Sequence, residues 1–348
     1  MFKNLKANKM LNSFLTKTKT NTKIERLKSL NIFKKFATFL LLVVCAILIL
    51  NPKIYAASCL NAISVWAVKV LPALFPFFIF SKIIVGLIEP KQTKLDKLFA
   101  KIYHTPATSS SVYLLSILSG YPMGAKLICN MFERGVYTRE DAKKMLAFCS
   151  VSGPMFMIGT VGVAIFGSFK AGVIILIANI VASLINGLIF RGKKTEFAAP
   201  QLETKQHEHS SILADSVYDA LISILLVGSF MVLAFLIVDI LKNTKILAFV
   251  ANLLCKPFGF KHENVQAVLA GLVEITRGII DLNLVDCSLQ IKVILASGLI
   301  GFGGICIMLQ SITFLKKLNI KFGFVLLQKF VQGVLASIIA IPLSFCVF

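Results

Sequence analysis

Three stretches of this chain are too long and too apolar for the surface of a soluble domain: FATFLLLVVCAILIL with its flanks, AGVIILIANIVASLINGLIF and ALISILLVGSFMVLAFLIV. A hydrocarbon layer about 30 Å thick takes roughly 20 helical residues to cross, and inside it each backbone N–H and C=O must be bonded within its own segment. That restricts the chain to an all-α polytopic membrane fold. Composition agrees: 57% of the 348 residues are hydrophobic and only 15% are charged, against about 25% charged in soluble domains.

The formal charge of +21 could suggest a nucleic-acid partner, but its distribution points to lipid instead. Segments 1–35, 91–104, 133–144, 191–211 and 315–321 hold 25 of the 37 Lys and Arg. Such clustering between apolar runs sets membrane orientation, here with the N-terminus inside and the C-terminus outside. No nucleic acid is expected as partner. Residues 1–35 read as a basic cytoplasmic tail kept ahead of a first anchor helix.

Catalysis finds no foothold. The eight cysteines include no CxxC pair and mostly lie inside apolar segments, as small buried hydrophobes do. His207 and His209 fall in the polar stretch TEFAAPQLETKQHEHSS, and no nucleophile elbow, P-loop or HExxH occurs. The expectation is a non-enzyme with no metal and no cofactor beyond a coupling H+ or Na+, between which the residues do not choose. The alternatives of a single copy and a homo-oligomer also stay open.

Shifting the sequence against itself by 151 residues brings special positions together: Gly120 with Gly271, Lys126 with Arg277, Gly153 with Gly304, Met157 with Met308, Lys170 with Lys321 and Gly172 with Gly323. Matching of helix breakers and cations in one ungapped register indicates an internal duplication. The organisation expected is a basic tail (1–35), a first transmembrane helix and connector (36–69), repeat one (70–191), a cytoplasmic linker (192–211) and repeat two (212–348). Each repeat reads as helix, hairpin, broken helix, helix.

The hairpins are YLLSIL-SGYPMGAK-LICNMF and VQAVLA-GLVEITRG-II, whose halves are each too short to cross. The broken helices are interrupted at SVSGP (150–154) and GLIGFGG (298–304). A re-entrant hairpin adds no net crossing, so each repeat crosses three times and the two are inverted. Seven crossings and two hairpins result.

Non-helical backbone at membrane depth survives only where protein buries it or a watered cavity meets it. Two inverted repeats with interrupted helices therefore point to a substrate site near mid-membrane. Lys126 and Arg277 are the candidate anion contacts, since burying a cation costs roughly 2.5–3.5 kcal/mol on insertion scales and demands a partner or a purpose. The alternative has Lys126 snorkelling to an interface and Arg277 paired with Glu274. Glu274 could also be a coupling group. Tyr121, Ser119, Ser150, Ser152 and Gln310 are further candidates as hydrogen-bonding groups, and Gly153 with Pro154 and Gly303 with Gly304 as sources of backbone amides. Thr138, three residues before Asp141, reads as the cap of a helix over TREDAKKMLAF.

The strings LPALFPFFIF, SGYPMGAKL, REDAKKMLAFCSVSGPMFMIGTVG, VGSFMVLAF, GLVEITRG and SGLIGFGGICIMLQ resemble those of the sporulation integral membrane protein YlbJ family, also called SpoVV. The resemblance runs from about residue 36 onward and leaves the basic N-terminus unmatched. It implies nucleoside-recognition gate segments and a plan similar to concentrative nucleoside transporters. It further implies a role in endospore formation: movement of dipicolinic acid from the mother cell across the outer forespore membrane. Carried onto this chain, its motif positions are Gly120, Tyr121, Pro122, Gly124 and Lys126 in the first hairpin. Glu274, Thr276, Arg277 and Gly278 are those of the second, with Ser152, Gly153, Gly303, Gly304 and Gln310 in the broken helices. The expected substrate is a small anionic metabolite; the rivals are a nucleoside transporter and a non-transporting membrane scaffold or regulator of spore envelope assembly.

Overall fold

The computed structural model describes residues 35, 37–87, 94–106, 108–193, 212–258 and 261–348. Most of the basic tail, most of the linker, and His207 and His209 lie outside the described residues. The chain divides into two compact units, 1–57 and 58–348, and all the site chemistry below belongs to the second.

Helices account for nearly all of the described residues, and no strand occurs among them. In order they are α1 (Ala37–Leu50), α2 (Pro52–Val65), α3 (Leu71–Leu87), α4 (Lys94–Tyr103), α5 (Ser109–Ser119), α6 (Met123–Glu133), α7 (Arg139–Cys149), α8 (Phe169–Ile189), α9 (Ile212–Asn243), α10 (Ile246–Phe258), α11 (His262–Val273), α12 (Ile275–Leu284), α13 (Leu289–Phe302), α14 (Gly304–Leu315) and α15 (Phe322–Val347). Two π-helical segments join them, Trp66–Val70 between α2 and α3 and Phe156–Ile165 ahead of α8. The boundary expected at 69/70 thus falls inside a helical stretch, where the turn widens but does not break.

Among the described residues, five helical spans are long and apolar enough to cross a membrane: Pro52–Phe80, Phe169–Ile189, Leu213–Asn243, Leu289–Ser311 and Phe322–Val347. Their outer faces carry large bare hydrophobics, Phe169 and Phe345 among them at 63% and 66% exposed. Exposed apolar surface on that scale has no place in water and marks a lipid-facing belt, so the chain is an integral membrane protein.

The cores lie between helices. One cluster packs α5, α6 and α7 around Ile128, Met145 and Phe148; another packs α8, α12 and α13 around Ile175, Ile279 and Ile300. A third joins α3 to α9 through Phe78, Ile224 and Phe235. Trp66 lies flat on Gly228, where a Cβ would sit 2.7 Å from the indole, and its Nε1 donates to the Ile224 carbonyl at 3.2 Å. Helix α7 begins at a full capping box: Thr138 Oγ1 accepts from Asp141 N at 3.2 Å, and Asp141 Oδ2 accepts from Thr138 N at 3.1 Å.

Four interruptions punctuate this bundle. Helices α5 and α6 part at Gly120–Pro122, where Gly120 has φ +64° and Tyr121–Pro122 is cis. Helix α7 ends at Cys149, and residues 150–153 are non-helical before helix resumes. Helices α11 and α12 part at Glu274, extended at φ −140° and ψ 120°. Helices α13 and α14 part at Gly303, in the left-handed region at φ +89°. Within each short-helix pair the two arms pack together; a Cβ on Gly278 would lie 2.1 Å from the Gly271 Cα.

Candidate functional site

Three of the four interruptions, together with the helix that follows the fourth, line one cavity. It is lined by Ser119, Gly120 and Tyr121 from the first break, Ser152 and Gly153 from the second and Glu274, Ile275 and Thr276 from the third. Cys306, Ile307 and Gln310 of α14 complete the polar side. Val70, Leu74, Phe77, Phe78, Phe156, Val227 and Met231 form an apolar wall from α3, α9 and the two π segments. Its empty space is about 700 Å³ with the mouth included, of which about 70 Å³ admits the centre of a water-sized body. An apolar chamber with a few converging polar groups is the usual form of a small-molecule site.

Local backbone geometry builds the chamber. A Cβ on Gly120 would lie 2.7 Å from Gly153 N, so the first two breaks touch backbone to backbone. Gly304 packs less tightly against the third break, where a Cβ would lie 3.2 Å from Ile275 Cγ1 and 3.4 Å from the carbonyl oxygens of Gly271 and Val273. Gly124 is seated below: a Cβ there would fall 2.1 Å from the Cys149 carbonyl oxygen. The π turn at Trp66–Val70 leaves the Lys69 carbonyl to accept from Thr160 Oγ1 at 3.3 Å, tying the two π segments together.

Glu274 is buried at the N-cap of α12, and its Oε2 accepts from Arg277 N at 2.6 Å, with Thr276 contributing as well. Its charge therefore lies against a helix N-terminus, where free N–H groups and the helix dipole offset a carboxylate. Gln310 donates from Nε2 to Cys306 Sγ at 3.7 Å. Tyr121 donates its hydroxyl to the Ser150 carbonyl at 2.9 Å.

The expected pair of cavity cations is not assembled. Arg277 points away from the cavity lining and is held between two carboxylates: Nη2 and Nη1 reach Asp239 at 2.9 and 3.4 Å, and Nε reaches Asp281 at 3.2 Å. Asp281 also binds Lys242 at 2.6 Å, Asp239 accepts from Ser58 at 2.5 Å, and the guanidinium covers the Phe235 ring at 5.3 Å. The partner expected from spacing, Glu274, meets the Arg277 backbone and not its fork. Lys126 is half-buried on α6, outside the cavity lining, within electrostatic reach of the Lys82–Asp219 pair at 2.7 Å. Gly124, Gly303 and Gly304 shape the walls without lining the cavity.

The cation that does approach the chamber is Lys329 on α15, only 2% exposed. Its ammonium donates to the Ser150 carbonyl and to Gln332 Oε1, each at 2.7 Å, and to the Tyr121 hydroxyl, and it lies 4.7 Å from the Tyr121 ring centre. Sequence reasoning passed over it because QKFVQ sits mid-helix and matches nothing in the 151-residue register. The signal present was a lysine inside a 26-residue apolar span.

Among known proteins, no family model matches this chain, and no solved structure does. The sporulation integral membrane protein YlbJ of Bacillus subtilis (strain 168) is 26% identical over 319 aligned residues. That alignment covers 84% of this chain and 78% of the relative. The chain is thus an integral membrane protein similar, over most of its length, to the sporulation integral membrane protein YlbJ, as its motifs indicate.

Proposed function

We propose that this protein is a transporter of a small anionic metabolite during endospore formation, with dipicolinic acid, moved out of the mother cell across the outer forespore membrane, as its substrate. The observation that carries this reading is the convergence of three helix interruptions, and of the helix that follows the fourth, on one cavity. Interrupted helices at membrane depth present unpaired backbone amides and carbonyls to a ligand, and opposed pairs of them give alternating access around a fixed site.

In this reading α5–α6 and α11–α12 are re-entrant hairpins, and residues 70–191 and 212–348 are inverted repeats in a membrane with the N-terminus inside. Support comes from the breaks themselves. Gly120 contacts Gly153, and Gly271 contacts Gly304 at the positions 151 residues later. Tyr121, Ser152, Gly153, Thr276 and Gln310 are the direct ligands, with Lys329 behind Tyr121 as the positive charge. Arg277 is a structural ion-pair member.

A nucleoside substrate is the second reading, favoured by Glu274 and Gln310 at the wall, which suit hydroxyls and amides. Uptake of dipicolinate and of uridine into liposomes holding the purified protein separates the two. Dipicolinate accumulation with little uridine supports the first reading, and the reverse supports the second. Uptake of neither, under proton and sodium gradients alike, ends the transporter reading and leaves a scaffold.

A further inference from the structure

Lys329 is a fully formed ammonium site of unusual composition. Its three acceptors are a backbone carbonyl, a phenol and a side-chain amide, all neutral, and no carboxylate lies within ion-pair distance of it among the described residues. The other deeply buried lysine, Lys144, has Asp141 at 3.6 Å. Arg277 has two carboxylates. Lys329 alone among these buried basic side chains has only neutral hydrogen-bond partners.

Burying such a charge costs several kcal/mol per ion when no counter-charge accompanies it. Tyr121 links this ammonium to the chamber: it lines the cavity, accepts from Lys329 and donates to Ser150. Gly303 lies against both groups: a Cβ there would be 3.3 Å from Lys329 Cε and 3.4 Å from the Tyr121 hydroxyl. The cavity's carboxylate, Glu274, is already offset by the N-terminus of α12.

We infer that Lys329 is the charge-selecting residue of this cavity, its ammonium acting through Tyr121 to make the site prefer an anion over a neutral molecule of the same shape. The inference rests on the transporter reading for its choice of ligand but concerns binding, which is measured without transport. An anion in the chamber supplies the counter-charge the fold withholds, and in low dielectric that attraction is weakly screened. Lys329 does not need to touch the ligand; it is a positioning residue that sets the sign of the site.

The test uses purified full-length protein in detergent and two shape-matched probes, pyridine-2,6-dicarboxylate and its neutral diamide, with binding measured by calorimetry. Lys329→Gln is expected to weaken the dicarboxylate about tenfold or more, as loss of a weakly screened unit-charge attraction would, while the diamide changes by less than about twofold. Lys329→Arg is expected to keep the preference. Equal weakening of both probes, or an unchanged preference, overturns the inference. Should Lys329→Gln not fold, Tyr121→Phe leaves the ammonium its Ser150 and Gln332 acceptors and is expected to narrow the preference about threefold; no narrowing overturns the inference equally. Wild type binding neither probe removes the inference together with its parent reading. Binding with the expected preference but no liposome uptake removes the parent reading alone.

Discussion

Gly120 rests against Gly153 so closely that a Cβ on the first would fall 2.7 Å from the amide nitrogen of the second. The contact joins the break between α5 and α6 to the break after α7, and it places Ser119, Tyr121 and Ser152 around one space. At the other two breaks the approach is looser: a Cβ on Gly304 would lie 3.2 Å from Ile275 Cγ1 and 3.4 Å from the Gly271 carbonyl oxygen. On this side the chamber therefore depends on two glycines that let a pair of chain interruptions approach without side chains between them.

Replacing Gly120 by Ala should be severe. The residue sits at φ +64°, where a Cβ costs about 1–2 kcal/mol, and the added methyl meets rigid backbone that cannot step aside. A loss of at least about 2 kcal/mol is expected in thermal unfolding of the detergent-solubilised protein. Gly323→Ala is the matched control, since nothing lies within 4 Å of its Cβ position, and it should stay within about 0.5 kcal/mol of wild type.

Arg277→Ala should read out as stability before it reads out as binding. The fork bridges Asp239 on α9 and Asp281 on α12, and its loss leaves two half-buried carboxylates with Lys242 alone to serve them. A destabilisation of about 1–3 kcal/mol is expected, and Arg277→Lys should not restore it because a point cation cannot span both partners. Ligand affinity of the folded fraction should move less than about threefold, which calorimetry checks; a larger loss would return Arg277 to the ligand set.

These outcomes bear on how far the sequence could be read. The all-helical membrane class, the four break positions and the Thr138 cap were legible, because Gly, Pro and capping residues act on their own neighbours. The 151-residue register pairs Gly172 with Gly323, of which one is packed tightly and the other lies in open space. What stayed hidden was pairing across the fold. Arg277 and Asp239 are 38 positions apart, and Lys329 and Tyr121 are 208 apart, so no local spacing could show which cation is neutralised and which is not.

Glu274 should prove to be a cap with an electrostatic side effect. Its Oε2 accepts the Arg277 amide, so Glu274→Ala is expected to cost about 0.5–2 kcal/mol, with Glu274→Gln retaining much of that through its amide oxygen. Removing the negative charge from the wall should tighten an anionic ligand a few-fold in the Gln variant. Calorimetry with the dicarboxylate probe checks the sign. Weaker binding in Glu274→Gln would mean that the carboxylate itself contacts the ligand.

The approach to the chamber carries its own charge signature. A small side pocket shares Phe78, Ser119, Tyr121 and Val227 with the main cavity and adds Lys82, Pro122, Met123 and Ser223. Lys82 binds Asp219 at 2.7 Å, and Lys126 stands within reach of both, so two cations face one half-exposed carboxylate. That excess should draw anions toward the mouth without holding them in the site. Lys126→Ala is expected to slow dicarboxylate association about two- to tenfold at low ionic strength, with the difference closing as salt shortens the Debye length from about 30 Å at 0.01 M to about 10 Å at 0.1 M. Dissociation should be unchanged. Stopped-flow binding across a salt series tests both arms, and a salt-independent loss of affinity would instead place Lys126 in direct contact with the bound ligand.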